Sequence, residues 1–242
     1  MTFDVVTLFP SMFQGPLDDG VFARARRAGR VAVRIHDLRR WGLGPQRQVD
    51  DAPFGGGPGM VLKPEPIFDA VAWIRARYPV ARERVVLLTP QGPPLDHAAA
   101  VRLSGYERVV LLCGRYEGVD ERVRTGLADE ELSVGDVVVS GGEIPALMVI
   151  DAVARQIPGV IGNAASAAEE SFAAGGLDWP SYTRPAEYRG LAVPKVLTSG
   201  DHAAIDAWRR EASRVATRQK RPDLFEATNC PPASRGRQRG PS

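Results

Sequence analysis

RVVLLTPQGPPLDHAAAVRLSGYERVVLLCG, residues 84–114, contains two apolar runs of nearly the same composition, RVVLLTP (84–90) and RVVLLCG (108–114). Neither alternates polar with apolar residues, so a strand built from either is covered on both faces. FDVVTLF (3–9), VAVRIH (31–36) and DVVVSGG (136–142) extend the series. Helix-like stretches lie between several of these runs. Phe68–Tyr78 carries Phe68, Val71, Ala72 and Trp73, while Pro145–Ile157 opens on a proline and repeats Leu147, Ile150 and Val153. Doubly covered strands separated by helices predict an α/β domain with a parallel sheet over residues 1–160.

Beyond Gly159 the pattern changes. A stretch rich in Gly, Pro, Ser and Ala leads to SGD (199–201), and its length marks it as linker or functional loop. The expected division is a linker over 161–180 and a small helical C-terminal domain over 181–225. Within that domain Asp201 is the expected N-cap of a helix that stops before Pro222. Residues 226–242 are poor in apolar residues and read as a disordered tail.

Composition excludes more than it identifies. The chain has 242 residues, 44% hydrophobic and 25% charged, which is ordinary globular usage. A formal net charge of +2 assigns any nucleic-acid contact to local clusters rather than to the whole surface. Two such clusters exist, RARRAGRVAVR (24–34) and WRREASRVATRQKR (208–221), and the second sets six cations against Glu211. Each reads either as a solvated helix face or as a phosphate-binding surface. Cys113 and Cys230 have neither metal spacing nor a disulfide pattern, which suits a reducing cytoplasm. The N-terminus reads as a first strand rather than a signal peptide, and no apolar stretch approaches the roughly 20 residues that span a bilayer.

Three glycine-rich segments follow predicted strand ends: TPQGPPL (89–95), LCGRYEGVDERV (112–123) and LSVGDVVVSGGEIPA (132–146). Each alone is accounted for equally by a tight turn or helix cap. Together they are placed to line one pocket, because ligands of open parallel sheets bind beyond the carboxyl ends of the strands. No GxGxxG follows the first strand, and no phosphate-binding GxxxxGK[ST] appears. The three histidines, His36, His97 and His202, form no triad or zinc pattern, so covalent and metal-dependent hydrolysis lose support. A fourth segment, VDDAPFGGGPGM (49–60), reads as a surface loop or as a lid contacting substrate.

In order, VDDAPFGGGPGM, LTPQG, LCGRYEGVDERV, SVGDVVVSGGEIPA, IPGVIGN, SYTRPAEYRG and SGDHAAIDAWRR closely resemble the bacterial tRNA (guanine-N1)-methyltransferase family of the TrmD type. The resemblance runs from residue 1 to about residue 225. It implies the α/β SPOUT fold, a parallel sheet with a deep trefoil knot, working as a homodimer on tRNA with no membrane attachment. It implies that S-adenosylmethionine is the methyl donor, held by Leu88, Pro90, Gly114, Tyr116, Glu117, Val134, Gly135, Asp136, Val137, Val138, Val139, Gly141, Gly142 and Pro145. It implies tRNA contacts at Asp50, Gly59, Asp178, Arg184, Arg209, Arg210, Arg214 and Arg218. The target would be N1 of the guanine at position 37, next to the anticodon. No resident metal site is expected, and a Mg2+ requirement stays open, with Glu117 the acid near the presumed methyl pocket.

The chemistry has its own demands. Guanine N1 carries a proton at neutral pH, so its attack on a sulfonium methyl needs a base for that proton and a donor for the charge developing on O6. By resemblance the donor is Arg155, and the base is an aspartate in a segment matching AAEESF (167–172), where this chain has Glu170. Two other readings remain: a SPOUT methyltransferase acting on ribose or another base, and an RNA-binding protein without catalysis. The segments SYTRP and GGGPGM speak against the first, and the glutamate at 170 keeps the second open.

Overall fold

A computed structural model of the chain describes residues 1–162 and 170–227. They fall into two compact units, one within 1–164 and the other within 165–242. Part of the expected linker, 163–169, and most of the expected tail, 228–242, lie outside the described residues.

The first unit is built on a five-stranded parallel sheet in the order β2 (Ala32–Asp37), β1 (Thr2–Thr7), β6 (Arg108–Cys113), β5 (Glu83–Leu88), β7 (Glu130–Leu132). β6 lies at the centre and every one of its residues is buried. Its Val109, Leu111 and Cys113 face one core with α1 (Gly20–Arg27), α3 (His97–Ser104) and α5 (Glu143–Arg155). Its Val110 and Leu112 face a second core with α2 (Pro64–Arg77) and α4 (Glu121–Gly126). Period-two side chains between two helical layers explain why 84–90 and 108–114 are apolar throughout. Each fully buried Val or Leu there contributes roughly 1.5–3 kcal/mol.

One expected strand is not a strand. Residues 136–142 form no strand, Gly141 making only an isolated bridge to Arg115, and Val138 is 87% exposed. The fifth strand is instead Glu130–Leu132, paired with β5 through Leu88↔Leu132. β propensity records fit to a pleated, half-buried surface, and the valines at 137–139 have no such surface. The ends of VDDAPFGGGPGM also differ from a plain loop, forming the short antiparallel pair β3 (Asp50–Asp51) and β4 (Val61–Leu62). α3 and α4 escape periodicity because they are short, yet each is capped. Asp96 accepts from Ala99 N at 2.7 Å, and Asp120 from Arg122 N at 2.9 Å.

In the second unit the hairpin β8 (Glu187–Tyr188) and β9 (Leu191–Ala192) precedes α6 (His202–Lys220) and α7 (Pro222–Ala227). Asp201 caps α6, accepting from Ala204 N at 3.1 Å. α6 holds the preceding segment by polar contacts: Leu177 N donates to Thr217 Oγ1 at 2.9 Å and Ser213 Oγ to Leu177 O at 2.5 Å. Among the described residues no helix is long and apolar enough to cross a membrane.

A buried charge cluster joins β1 to β2. Asp4 has no exposed surface, accepts two 2.8 Å hydrogen bonds from Arg34 and lies 2.7 Å from His36 Nε2. Burial pushes the Asp4 pKa up, and the bonds from His36 and Arg34 outweigh it, leaving the carboxyl below its ordinary value of 3.8. Because the folded-state pKa is depressed, this contribution to stability is complete above 3.8 and is lost as pH falls below it. Asp4→Asn should lower unfolding stability at neutral pH by about 3 kcal/mol, since it removes one partner of a buried pair. Urea unfolding across pH should show the variant and parent converging in acid; a constant gap down to the lowest pH would refute the assignment.

Candidate active site

The carboxyl ends of β5, β6 and β7 release the chain into three loops that surround a cavity of about 340 Å³. That size lies at the lower end for small-molecule sites. Backbone contacts bring the loops together. Thr89 N bonds Leu132 O at 3.1 Å, Ser133 N bonds Pro93 O at 2.9 Å, and Leu95 N bonds Ser133 O at 2.7 Å. The end of β7 is therefore held between β5 and the loop that follows β5. On the other side Gly142 N bonds Gly114 O at 2.9 Å.

Two glycines permit these approaches. A Cβ at Gly92 would lie 2.5 Å from Leu132 N, and one at Gly142 would lie 2.6 Å from Cys113 Cα. Both obstacles are backbone, so neither position tolerates a side chain. Gly114 differs. A Cβ there would sit 3.7 Å from both Leu88 O and Val119 Cγ1, an ordinary contact, so packing does not demand glycine. What glycine does at 114 is leave the cavity wall open.

Arg115 and Glu143 lock the loops. Glu143, the first residue of α5, has no exposure; it accepts from Thr7 Oγ1 at 2.7 Å and forms a 2.8 Å ion pair with Arg115 Nη2. That ion pair is close but not aligned as a hydrogen bond, and Arg115 Nε is buried with no acceptor. Arg115 also donates from Nη1 to Ser140 O at 2.9 Å and lies 4.2 Å above the Phe9 ring. One guanidinium thus ties the loop after β6, the loop before α5 and the turn after β1. Burial, then the charge of Glu143, pushes the Cys113 thiol well above its ordinary range, so it acts as neutral apolar wall rather than as a nucleophile.

The residues assigned to the methyl donor line this cavity, with the exception of Gly135 and Asp136. Ser133 accounts for Gly135: its Oγ donates to Gly135 O at 2.9 Å and accepts from Gly135 N at 3.1 Å, closing a tight turn. Sequence reasoning missed Arg115, Ser133, Arg124 and Glu131, which also line the cavity. Arg124 pairs with Glu121 and, at 3.7 Å, with Glu131. The signal available for Arg115 was its place between the glycines of CGRYEG.

Tyr116 has φ +60, which is uncommon outside glycine, and is half exposed at the cavity wall. Partial burial, then its hydrogen bond to Asp50, raises its pKa. Gly59 packs on the neighbouring acid, with a Cβ there falling 2.5 Å from Glu117 Oε1. Asp50 and Gly59, assigned to tRNA, thus abut the wall assigned to the donor. Arg155 closes α5 in the first unit, and Glu170 lies in the second. Asp178 accepts from Ser171 Oγ at 2.5 Å, and Arg184 precedes a cis proline. Arg209 lies 4.9 Å above Trp179, Arg214 makes two bonds to Glu211, and Arg218 lies 4.7 Å above Phe225. These are solvent-exposed contacts, which hold the side chains only weakly.

Fold and cavity define an α/β protein with a loop-walled cavity beyond the ends of a parallel sheet, where open α/β sheets bind their ligands. Comparison with known proteins carries this further. Residues 1–227 match the family model described as tRNA (Guanine-1)-methyltransferase TrmD. A tRNA (guanine-N(1)-)-methyltransferase of Geobacter sulfurreducens is 51% identical over 225 residues, 93% of this chain and 91% of that protein. Those of Anaeromyxobacter dehalogenans, at 52% over 94% and 92% of the two chains, and Staphylococcus aureus, at 48% over 93% and 91%, are similar. The chain belongs to the tRNA (guanine-1)-methyltransferase family, and so to the SPOUT fold class.

Removing the charge of Glu143 leaves Arg115 without its counter-ion. Glu143→Gln should therefore cost about 3 kcal/mol of unfolding stability, and Thr7→Val, which removes the bond to Glu143 and the one accepted from Phe9 N, about 2 kcal/mol. Urea unfolding of ligand-free protein checks both. A Glu143→Gln protein as stable as the parent would show that the lock is dispensable.

Proposed function

We propose that this chain transfers the methyl group of S-adenosylmethionine to N1 of a guanine in tRNA, at position 37 beside the anticodon. The observation that carries the reading is that the loops matching the family's donor-binding pattern converge on one cavity. S-adenosylmethionine would supply an electrophilic methyl on a cationic sulfonium. The cavity suits it: the open wall at Gly114 and the apolar Leu88, Val138 and Pro145 accept a flat ring, and Glu117 favours a cation, Glu121 and Glu131 being paired with Arg124. Arg155 would donate to guanine O6 as charge develops there, and the Glu170 carboxylate would take the N1 proton. Glutamate has nearly the intrinsic pKa of aspartate, so the exchange at this position leaves the proton transfer chemically open. Among the described residues no group of three or more His, Cys, Asp and Glu is placed to hold a metal ion, and the proton transfer proposed here uses protein groups alone. Mg2+ dependence is an arm of the assay below.

We further propose that the protein acts as a homodimer in the cytoplasm, with a composite site and a trefoil knot. Ile144 and Met148, four residues apart on α5, leave an apolar strip half exposed, as subunit contacts do. The contacts of Leu132–Ser133 with the loop 89–95 are compatible with a knot, which rests on the family resemblance. The exposed arginines of α6 would grip tRNA phosphates.

Purified protein, radiolabelled S-adenosylmethionine and unmodified tRNA with guanines at positions 36 and 37 provide the test. Nucleoside mass spectrometry should find N1-methylguanosine at 37, with and without chelator scoring the need for Mg2+. Methyl on ribose or another base would place the chain elsewhere among SPOUT enzymes, and binding of tRNA without transfer would make it an RNA-binding protein. Glu170→Gln should lower the rate at least a hundredfold while sparing donor binding, since general-base catalysis contributes about that much, and Glu170→Asp should keep or raise it. Parent-rate transfer by Glu170→Gln beside an inactive Asp178→Asn would show that the base is Asp178.

A further inference from the structure

Phe54 is the most exposed large apolar residue among those described, at 101% of its reference surface. Nothing in the fold requires it there, and a phenylalanine free in water forgoes the roughly 1.5–3 kcal/mol that burial would contribute. Its position is nevertheless defined. Gly56 N bonds Pro53 O at 3.2 Å, and Gly55 has φ +87, the pattern of a type II turn with Phe54 and Gly55 at its centre. A Cβ at Gly55, Gly56 or Gly57 would meet nothing within 4 Å, so these glycines set backbone conformation rather than allow close packing. Local turn chemistry holds the ring out.

The feet of this loop stand on the cavity wall. Leu62 N bonds Gly118 O at 3.0 Å, and Glu117 N bonds Met60 O at 3.1 Å. The exposed ring is thus carried on a rooted turn beside the site of the proposed reaction. Its charged neighbours indicate what it meets. Asp50 and Asp51 begin the loop, and Asp51 has only Lys63 at 3.3 Å as counter-ion. Carboxylates repel phosphate but accept from the N–H groups on base edges. An exposed aromatic face on a loop that opens with two acids therefore suits an unstacked nucleobase, not the sugar–phosphate backbone.

We infer that Phe54 is a stacking platform for an unpaired base adjoining the target guanine, holding the RNA loop open at the cavity. The inference rests on the proposed tRNA substrate. Stacking of one base on an aromatic ring is commonly worth a ten- to hundredfold change in affinity. With the full-length protein, Phe54→Ala and Phe54→Leu should each raise the tRNA KM by about that factor. Neither should alter S-adenosylmethionine binding or the melting temperature, and Phe54→Tyr should restore the parent KM. In tRNA carrying 2-aminopurine on either side of the target guanine, the parent should quench one of the two probes and Phe54→Ala should not. Parent-like KM and quenching in Phe54→Leu would overturn the inference while leaving the methyl-transfer reading intact. Dissociation of the Phe54→Leu protein by sedimentation would replace it with a subunit contact. A parent that binds RNA with Phe54-dependent quenching yet transfers no methyl would refute the functional reading alone. A parent that binds no RNA would refute both.

Discussion

Glu143 is a carboxylate with no access to water, and the shape of the candidate site depends on how that charge is met. Taking such a group out of water costs several kcal/mol unless its partners are in place. Here they come from three separated parts of the chain: Thr7 at the end of β1, Arg115 after β6, and through Arg115 the carbonyl of Ser140. None of these loops has enough apolar surface to hold itself. The buried charge supplies what packing does not, fixing a set of glycine-rich segments in one arrangement. Arg115 Nε, left without an acceptor, shows that the fit is not complete.

The glycines of the site therefore do different work at different positions. Gly92 and Gly142 are backbone clearances, required because two segments pass within van der Waals contact. Gly114 is not, because the protein itself would tolerate a Cβ there, and its glycine leaves the cavity wall open. In sequence these look alike, each a glycine after a strand, which is why turn and ligand readings could not be separated before the contacts were seen. The difference lies in what faces the missing side chain.

Legibility followed the same division. The strands at 84–90 and 108–114 were readable because burial on both faces leaves a continuous apolar run, a one-dimensional record of a three-dimensional fact. The run at 136–142 has equally good β propensity and is a loop, because no neighbouring strand receives it. Conversely Glu130–Leu132 is a strand despite two acids. Its Glu130 is paired with Arg102 at 2.8 Å, and only Leu132 enters the core. That the three glycine-rich loops line one cavity was legible from their places after strand ends, and their assignment to a methyl donor came from family resemblance alone. The partners of Arg115 were not legible, since a lock that joins separated segments, such as Thr7 to Glu143, leaves no local pattern.

The loop that bears Phe54 and the cavity share one stretch of backbone, residues 115–118. Tyr116 is held there at φ +60, a conformation that costs on the order of 1–3 kcal/mol and persists only when neighbours impose it. Those neighbours lie on both sides: Asp50 and Met60 from the loop, Ser140 and Glu143 through Arg115 from the cavity. A Cβ at Gly59 would press on the flexible end of Glu117, so a change in the loop is passed to a cavity-lining acid instead of being absorbed in solvent. The wall cannot relax toward one side without loosening the other.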